Sequence, residues 1–404
     1  MKILYFGTIC NLNQYEQLLR KCSNKPTVAP IIFETALIDG FRKNSVDMEI
    51  HSFPMVPTFP NSNMLSFGGY SEDLPCGYRC RWLRTVNIPV LKQWSRRMDA
   101  RKVIRRWAAE NQSDGVILTY SIPPFLVKDI IKYSKKFALK TAAIVADLPQ
   151  NMYINHKGNR IIDAIKNQYL KSALRHQNEY DGYIYLTEYM RDVIAPQKPY
   201  VVMEGILNQE AEEKNDLVQK KPEPRAIMYA GRLHERYGVL NLMDAFEQLE
   251  VEHTELWLFG SGTAVEAIQD RTAKNPRIRY FGSVSRQEVL NYEKQATLLV
   301  NTRSTQEAFT EYSFPSKTIE YMVSGTPLLT TRLRGIPEEY FSYVFSIEDN
   351  EVEQLKIALE QILRMSDEDL EAKGNAARQF ILEQKNAQKQ SLRILEFLKG
   401  IIGE

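Results

Sequence analysis

The sequence contains few of the residues that build metal and disulfide sites. Among 404 residues there are four cysteines and five histidines. Cys76 and Cys80 have no second cysteine cluster and no nearby histidine, so we expect no zinc site. Few cysteines and no recognisable signal peptide favour a reducing cytoplasm. No apolar run approaches the roughly 20 residues that a membrane-spanning helix needs.

Other missing features exclude further classes of protein. The first strand leads into Gly7-Thr8-Ile9-Cys10, without the G-x-G-x-x-G fingerprint of dinucleotide-binding oxidoreductases. The chain has no short-period repeat and no low-complexity segment. Its composition is 44% hydrophobic and 25% charged, with a net charge of only +2. It is therefore not a disordered chain, and its length predicts two or more domains.

Strands and helices alternate through both halves of the chain, which predicts an α/β fold with doubly wound parallel sheets. We expect strands at residues 3–6, 115–119, 142–146, 182–186, 226–230, 255–259, 278–281, 297–301 and 328–331. We expect helices at residues 92–110, 124–138, 160–179, 239–249, 286–295 and 366–399, with Thr187 and Ser366 as caps. A polar stretch at 208–225 reads as an interdomain linker.

The predicted domains are residues 1–207 and 208–380. A final helix at 381–404 is expected to return to the first domain. In such Rossmann-like folds, ligands bind at the carboxyl ends of the strands, so we expect both domains to face one cleft.

Residues 314–327 form the most informative motif. Pro315 and Ser316 indicate the start of a two-turn helix, which Gly325 and Pro327 end. A helix start offers free N–H groups and a positive dipole to a phosphate. Lys317 adds a cation there, and Glu320 lies one turn further in, where it could accept hydrogen bonds from a ribose. An ordinary capped helix with solvated side chains is the alternative.

Three other strand ends carry glycine. Gly231 permits close backbone approach, and the adjacent Arg232 can form bidentate bonds to phosphate. Gly260-x-Gly262 and Gly335-Ile336-Pro337-Glu338 follow two further strands. Each of these patterns alone is weak evidence for a ligand-binding site.

Together, in this order and spacing, the patterns resemble the donor half of glycosyltransferase family 4. The resemblance is most specific over residues 226–340 and implies the GT-B fold of two Rossmann-like domains facing a cleft. It also implies that the first domain, 1–207, binds the acceptor and that the second, 208–380, binds the nucleotide-sugar. The Phe314-Pro315-Ser316-Lys317 variant resembles members that build bacterial capsule, exopolysaccharide or O-antigen units. Such enzymes transfer a sugar with retention, without a metal or other cofactor, from a nucleotide-diphosphate sugar to a lipid-linked or saccharide acceptor.

The resemblance also implies residue roles. Arg232 would neutralise the donor diphosphate, Glu320 would bind the ribose, and the backbone at Ser316 and Lys317 would meet the diphosphate. The loop containing Val284 would border the base. The other implied donor-side positions are Gly231, Gly260 and Tyr312.

Two positions depart from the family pattern. Tyr237 stands where the family often has lysine, and Tyr312 stands where it has the first of two glutamates. Our hypothesis is that Lys317 supplies the missing cation and acts in catalysis with Arg232. The missing glutamate leaves the donor-sugar contact open, with Glu307, Glu311 and Tyr312 as candidates.

In the first half, Asp147 ends a strand at the expected cleft. The resemblance places it where family members often have a His-Asp pair facing the acceptor, although Ala146 replaces the histidine. Asp147 could orient the acceptor hydroxyl or take its proton. An aspartate that caps a loop is the alternative.

Residues 79–107 contain ten lysines or arginines and one acid, together with three of the four tryptophans. Cations and tryptophan are both favoured at an anionic membrane surface, so we expect peripheral binding to the inner leaflet. The candidate contacts are Arg79, Arg81, Trp82, Arg84, Trp94, Arg97 and Arg101. The alternative is a solvated helix that uses its tryptophans in the core. Nucleic acid is disfavoured because no accompanying motif is present.

Asp367-Glu368-Asp369 has the Asp-x-Asp form of metal-dependent transferases, but it follows Ser366 at a helix start. Acidic residues are favourable there, so we read it as capping. Two alternatives to a transferase stay open: a nucleotide-sugar epimerase or hydrolase on the same fold, and a catalytically silent partner subunit.

Overall fold

The computed structural model describes residues 1–23, 26–111, 114–148, 160–207 and 223–403, with the backbone alone for 160–166. The chain divides into two compact units: Met1–Asn208 with Ala387–Glu404, and Gln209–Asn386. Most of the predicted linker at 208–225 lies outside the described residues.

The first unit contains a mostly parallel sheet of eight strands. The strands of this unit are β1 (Lys2–Gly7), β2 (Asp47–Ser52), β3 (Ser66–Phe67), β4 (Ser71–Asp73), β5 (Arg79–Trp82), β6 (Thr85–Val86), β7 (Gly115–Tyr120), β8 (Lys140–Val145), β9 (Gly182–Tyr185) and β10 (Tyr200–Val202). Its helices before the linker are α1 (Leu12–Leu19), α2 (Ala29–Lys43), α3 (Leu91–Glu110), α4 (Val127–Phe137), α5 (Arg160–His176) and α6 (Met190–Val193).

The strand order in this sheet is β10-β9-β8-β7-β1-β2-β5-β4, and β3 pairs separately with β6. All neighbours in the large sheet are parallel except β4 and β5. Strand β7 is buried at every position and β1 at every position after Lys2. Such continuous apolar runs are typical of parallel strands that are covered on both faces.

The second unit repeats this architecture with six strands. They are β11 (Arg225–Arg232), β12 (Thr254–Ser261), β13 (Ile278–Gly282), β14 (Leu298–Asn301), β15 (Leu328–Thr331) and β16 (Phe345–Ile347). Its helices are α7 (Val239–Glu247), α8 (Val265–Lys274), α9 (Arg286–Gln295), α10 (Lys317–Val323), α11 (Val352–Leu363) and α12 (Asp367–Gln384), with short 3-10 helices at Glu235–Tyr237, Ala308–Tyr312 and Glu338–Ser342. The strand order is β13-β12-β11-β14-β15-β16, and every pair is parallel.

The last helix, α13 (Ala387–Ile402), belongs to the first unit. It packs on α2 where Gly40 leaves no room for a side chain, because a Cβ there would lie 2.1 Å from the carbonyl oxygen of Ala387. Gln390 adds a buried hydrogen bond, which its side-chain amide donates to the carbonyl of Gly205 over 2.7 Å.

The predicted α/β class and doubly wound organisation are confirmed. The strands predicted in the second half match β11 to β15, because their apolar runs are bounded by clear turn residues. Two local predictions were wrong. The helical tail is two helices rather than one, and α6 starts at Met190 with Tyr189, not Thr187, at the N-cap position. The cap at Ser366 is present, since its hydroxyl accepts from the Asp369 N–H.

Candidate functional site

The strand order of the second unit places the expected ligand crevice between β11 and β14. The sheet order reverses direction between these two strands, and ligands bind at the carboxyl ends of strands on either side of such a reversal. The two strands pair only at Ile227 and Met228, with Leu298 and Leu299. Beyond that point the hydroxyl of Tyr321 replaces the strand partner of Ala230. It donates to the carbonyl of Ala230 over 3.0 Å and accepts from the N–H of Ala230 over 2.8 Å.

Glycines allow the neighbouring strand ends to lie close together. Gly260 has a φ of +125°, and a Cβ there would lie 1.8 Å from the carbonyl oxygen of Gly231. A Cβ on Gly262 would lie 2.0 Å from the carbonyl oxygen of Leu233. The contact between β11 and β12 therefore requires both glycines of Gly260-x-Gly262, independently of any ligand.

Arginine side chains surround Tyr237 at the crevice. Arg232 is exposed at the end of β11. The Arg303 guanidinium lies 5.1 Å from the centre of the Tyr237 ring, and Arg236 packs 5.9 Å from the same ring. Burial lowers the pKa of Arg303, and the charges of Arg232 and Arg236 lower it further. This arrangement concentrates positive charge where the two strands diverge, which suits an anion.

Lys317 and Glu320 belong to a second charged cluster, which includes Glu293 and Arg286. The Lys317 ammonium contacts the Glu320 carboxylate and lies 3.3 Å from the fully buried Glu293. The other oxygen of Glu320 lies 3.3 Å from Arg286 at the start of α9. Lys317 is therefore engaged by carboxylates and is not a solvated cap.

The cluster keeps Glu320 ionised. Burial opposes the charge of Glu320, but Lys317 and Arg286 outweigh it and lower the pKa of this carboxyl. Burial opposes the Lys317 charge as well, and Glu320 with Glu293 outweighs it and raises the pKa of the ammonium. Burial and the nearby Glu320 charge raise the pKa of Glu293 well above its usual value, which favours the protonated form of this carboxyl.

The other donor-side predictions fall on two loops. Val284 lies in the loop before α9, and the pair between Arg286 and Glu320 brings this loop next to α10. Ser316 precedes α10 but makes no side-chain capping bond, and α10 itself has seven residues. The predicted two-turn helix is thus present, whereas the contribution of its first turn to phosphate binding stays a prediction.

The candidate sugar contacts lie in and beside the 3-10 helix Ala308–Tyr312. Glu311 is bound by Arg334 over 2.5 Å, so it is engaged away from the crevice arginines. Glu307 lies 3.5 Å from Arg236, and Arg236 stacks 4.3 Å from the ring centre of Phe309. Among the three candidates, Glu307 is the one that an ion pair joins to the arginine cluster. Tyr312 ends the 3-10 helix.

In the first unit, Asp147 follows β8 and its side chain is exposed. The surrounding protein partly desolvates this carboxyl and raises its pKa. Tyr120 at the end of β7 is close enough to feel the charges of both Glu34 and Asp147. The sheet order also reverses between β7 and β1, so Asp147 lies one strand away from the reversal.

Glu34 of α2 was not predicted, although it organises the end of β1. Its carboxylate is fully buried and accepts from the Tyr5 hydroxyl over 2.7 Å and the Thr8 N–H over 2.9 Å. Burial raises its pKa to about 7 despite these donors. A cluster of this kind cannot be read from sequence spacing because its members are joined only by the fold.

Part of the basic segment forms ion pairs within the first unit. Arg81 pairs with Asp99 over 3.0 Å, and Arg97 and Arg101 both pair with Asp129, over 2.5 Å and 3.6 Å. The prediction that Trp82 contacts a membrane was wrong. Trp82 is only 1% exposed, and its indole donates to Glu72 over 2.7 Å, because β5 places alternate side chains in the core.

Arg79, Arg84 and Trp94 do lie on the surface, as the membrane hypothesis requires. Trp94 is 56% exposed and lies within an apolar patch at the start of α3. We call this the α3 patch; its residues are Phe59, Leu65, Ile88, Val90, Leu91, Trp94 and Met98. Backbone bonds of Asn87 to Phe59 and Leu65 hold its parts together. None of the helices in the described part of the chain has the length and apolar composition needed to cross a bilayer.

Sequence reasoning missed Arg303, Glu293 and Tyr321. Arg303 follows β14 by two residues, and the strand-end rule that singled out Arg232 could have found it. Glu293 lies inside an ordinary helical pattern, and Tyr321 sits on the buried face of α10. Nothing in the local sequence distinguishes these two from core and surface residues.

Comparisons with known proteins agree with this architecture. Residues 224–365 match the family model described as glycosyl transferases group 1, and this region contains both charged clusters. No curated protein matches the sequence.

Solved structures are similar over the whole chain. Sucrose-phosphate synthase from Thermosynechococcus elongatus has a TM-score of 0.61 at 14% identity, with 100% of each chain covered. HepE from Anabaena, in complex with UDP, has a TM-score of 0.58 at 13% identity, covering 99% of this chain and 100% of that one. A TarM variant from S. aureus, in complex with fondaparinux, α-GlcNAc-glycerol and UDP, has a TM-score of 0.58 at 9% identity, with 100% of each chain covered.

At such identities the similarity establishes the fold, which is GT-B with two Rossmann-like units. Residues 224–365, which match the family model, lie within the second unit, Gln209–Asn386. The protein therefore has the GT-B fold, and its second unit contains a region that matches the glycosyl transferases group 1 model.

Proposed function

We propose that the protein transfers a sugar from a nucleoside-diphosphate sugar to an acceptor hydroxyl, with retention of the anomeric configuration and without a metal ion. The observation that carries this proposal is the group 1 match over residues 224–365, which encloses a crevice with an exposed arginine, Arg232, and an ionised carboxylate, Glu320. Guanidinium groups bind phosphate in bidentate fashion, and carboxylates accept hydrogen bonds from hydroxyls.

The residues divide the task by their chemistry. Arg232 neutralises the negative charge that grows on the departing diphosphate, an effect that is largest in a preorganised site. Glu320, held ionised by Lys317 and Arg286, accepts hydrogen bonds from the ribose, and the Val284 loop borders the base. Asp147 takes the acceptor proton, and its raised pKa brings it closer to the operating pH of a general base.

The acceptor we propose is a lipid-linked or saccharide precursor of a cell-surface polysaccharide. The resemblance at Phe314-Pro315-Ser316-Lys317 supports this class. A complex with α-GlcNAc-glycerol and UDP is known for the TarM variant, which supports a saccharide-type acceptor on this fold.

A screen of nucleotide-sugars by thermal shift tests the donor. A ligand that binds only the folded state raises Tm, so we expect one class of nucleotide-sugar to stabilise the wild type and an Arg232→Gln variant to lose that shift. NMR of the product then reports the anomeric configuration, and activity should survive EDTA. If no nucleotide-sugar shifts Tm, the proposed transferase function fails.

The same assay separates the alternatives. An epimerase or hydrolase on this fold would convert the stabilising donor without any acceptor. A silent partner subunit would bind the donor poorly and become active only in complex. Turnover that depends strictly on an added acceptor supports the transferase.

We also propose that the protein works on the inner face of the cell membrane, with the α3 patch against the lipid. Trp94 supplies the interfacial aromatic residue, and the exposed Arg79 and Arg84 are the cations near it in sequence. The internal pairs of Arg81, Arg97 and Arg101 make apolar insertion more important than charge. This placement would bring the enzyme to lipid-linked acceptors.

Vesicle flotation tests this placement. The Leu91→Ser/Trp94→Ser variant should lose binding to vesicles that contain anionic lipid. A Leu392→Ser variant, which changes a similarly exposed leucine on α13, should float like the wild type. Equal flotation of the three proteins would remove the α3 patch from the proposal.

A further inference from the structure

We propose that Arg303 is the second cation of the donor site and binds the diphosphate together with Arg232. The inference rests on the proposed function, because it assigns a ligand to the crevice between β11 and β14. The ligand class is a nucleoside diphosphate, whose two phosphates carry more charge than one guanidinium balances.

The location of Arg303 follows from the strand order. Arg232 ends β11 and Arg303 follows β14 by two residues, so the two arginines flank the point where the sheet order reverses. They are close enough for the Arg232 charge to lower the pKa of Arg303. Two like charges held together in the absence of a counter-ion repel each other, and a bound anion relieves that repulsion.

Among the residues that the structure describes, no carboxylate forms an ion pair with Arg303 or Arg232, whereas Arg236 lies 3.5 Å from Glu307. The Arg303 guanidinium lies 5.1 Å from the centre of the Tyr237 ring. A half-buried guanidinium stacked on an aromatic ring keeps its hydrogen-bond donors for another partner.

The backbone at Arg303 is fixed from several sides. The Thr331 hydroxyl donates to the Arg303 carbonyl over 2.6 Å, and the Asn350 amide donates to the Thr302 carbonyl over 3.0 Å. The Thr302 hydroxyl donates to the Tyr237 carbonyl over 3.2 Å, which ties the loop after β14 to the loop after β11. The two arginines therefore approach a ligand from a preorganised frame.

Lys317 is a weaker candidate for this role. Its ammonium already contacts Glu320 and lies 3.3 Å from Glu293. A diphosphate would have to compete with those carboxylates, whereas Arg303 has no such competitor in the described part of the chain. Tyr237 then has a defined role in this site, since its ring packs against the guanidinium of Arg303.

The test compares diphosphates with monophosphates. UDP, GDP, ADP and dTDP, each beside its own monophosphate, are titrated by calorimetry into the wild type and Arg303→Gln. For the diphosphate that the wild type binds best, we expect Arg303→Gln to weaken binding by about 10- to 100-fold, as for a lost charge-assisted hydrogen bond. The affinity for the matching monophosphate should change by less than about threefold, because Arg232 still binds its one phosphate.

Matched variants separate this role from a structural one. Arg277→Gln is the control, because Arg277 also stacks 5.1 Å from an aromatic ring, that of Phe246, but lies at the opposite end of the sheet, before β13. It should bind as the wild type does. Arg303→Lys should retain part of the preference for the diphosphate, and Tyr237→Lys in the Arg303→Gln background should restore part of it.

The outcomes are distinct. If Arg303→Gln keeps the wild-type preference for diphosphate over monophosphate, the role of Arg303 is overturned while the proposed function stands. If the wild type binds none of the diphosphates, the proposed function fails, and this inference fails with it.

Discussion

Lys317 lies between two carboxylates, and this placement changes the meaning of its charge. The sequence suggested a cation aimed at a phosphate, but the ammonium contacts Glu320 and lies 3.3 Å from Glu293. Its main effect is to lower the pKa of Glu320 and so keep that carboxylate ready to accept hydrogen bonds. At the residue scale, Lys317 positions Glu320.

A Lys317→Met variant tests this role through pH. Without the ammonium the pKa of Glu320 rises, so more of the carboxyl is protonated as the pH falls, and its ability to accept hydrogen bonds is lost. We expect donor KM to rise more at pH 6 than at pH 8.5, since each unit by which the pH falls raises the ratio of protonated to ionised carboxyl tenfold. Steady-state kinetics between pH 5.5 and 9 would show this. A loss of kcat of equal size at every pH would instead support a role of Lys317 in binding the donor diphosphate.

At the element scale, the crevice depends on how α10 is attached to β11. The two strands at the reversal separate after Met228, which would leave the backbone groups of Ala230 unpaired. The Tyr321 hydroxyl satisfies both of them. One side chain thus holds the crevice open and fixes α10, with its Glu320, beside the strand end that carries Arg232.

Tyr321→Phe removes this attachment. Two buried backbone groups lose their partner, so we expect a loss of stability of about 1–3 kcal/mol, together with a higher donor KM. Urea unfolding and donor titration measure the two effects. Tyr280→Phe is the control, because the Tyr280 hydroxyl donates one bond, over 3.0 Å, to the Gly260 carbonyl from a half-buried site. Equal effects of the two variants would argue against a special role for Tyr321.

At the scale of the whole molecule, each unit has its own core and its own reversal in strand order. The first unit is completed by α13, which arrives from the other end of the sequence to pack on α2. The same helix carries Glu34, whose buried carboxyl accepts from the Thr8 N–H in the loop after β1. The stability of this unit should therefore depend on pH.

The direction of that dependence follows from the raised pKa. Burial raises the pKa of Glu34 to about 7 in the folded protein, against 4.5 for an unperturbed glutamate. Between these values the folded state keeps a proton that the unfolded chain has released, so stability falls as pH rises. The shift corresponds to about 3 kcal/mol, present below the unfolded pKa and lost above pH 7.

Scanning calorimetry between pH 5 and 8 checks this prediction. The wild type should lose more Tm over this range than Glu34→Gln, which cannot ionise. Glu16→Gln, at an exposed carboxylate on α1, should follow the wild type. Parallel curves for the wild type and Glu34→Gln would show that burial of Glu34 does not set the pH dependence.

The sequence alone predicts the α/β class and most elements of the second unit, and it singles out Arg232 and Glu320 as candidate site residues. These features are local, because the apolar period, glycine turns and helix stops act within a few residues of chain. The fold was needed to show that Glu293 lies beside Lys317, that Trp82 is in the core and that Arg303 lies near enough to Arg232 to feel its charge. These contacts join residues that are distant in sequence, and they form because parallel strands bring their carboxyl ends to one edge of a sheet.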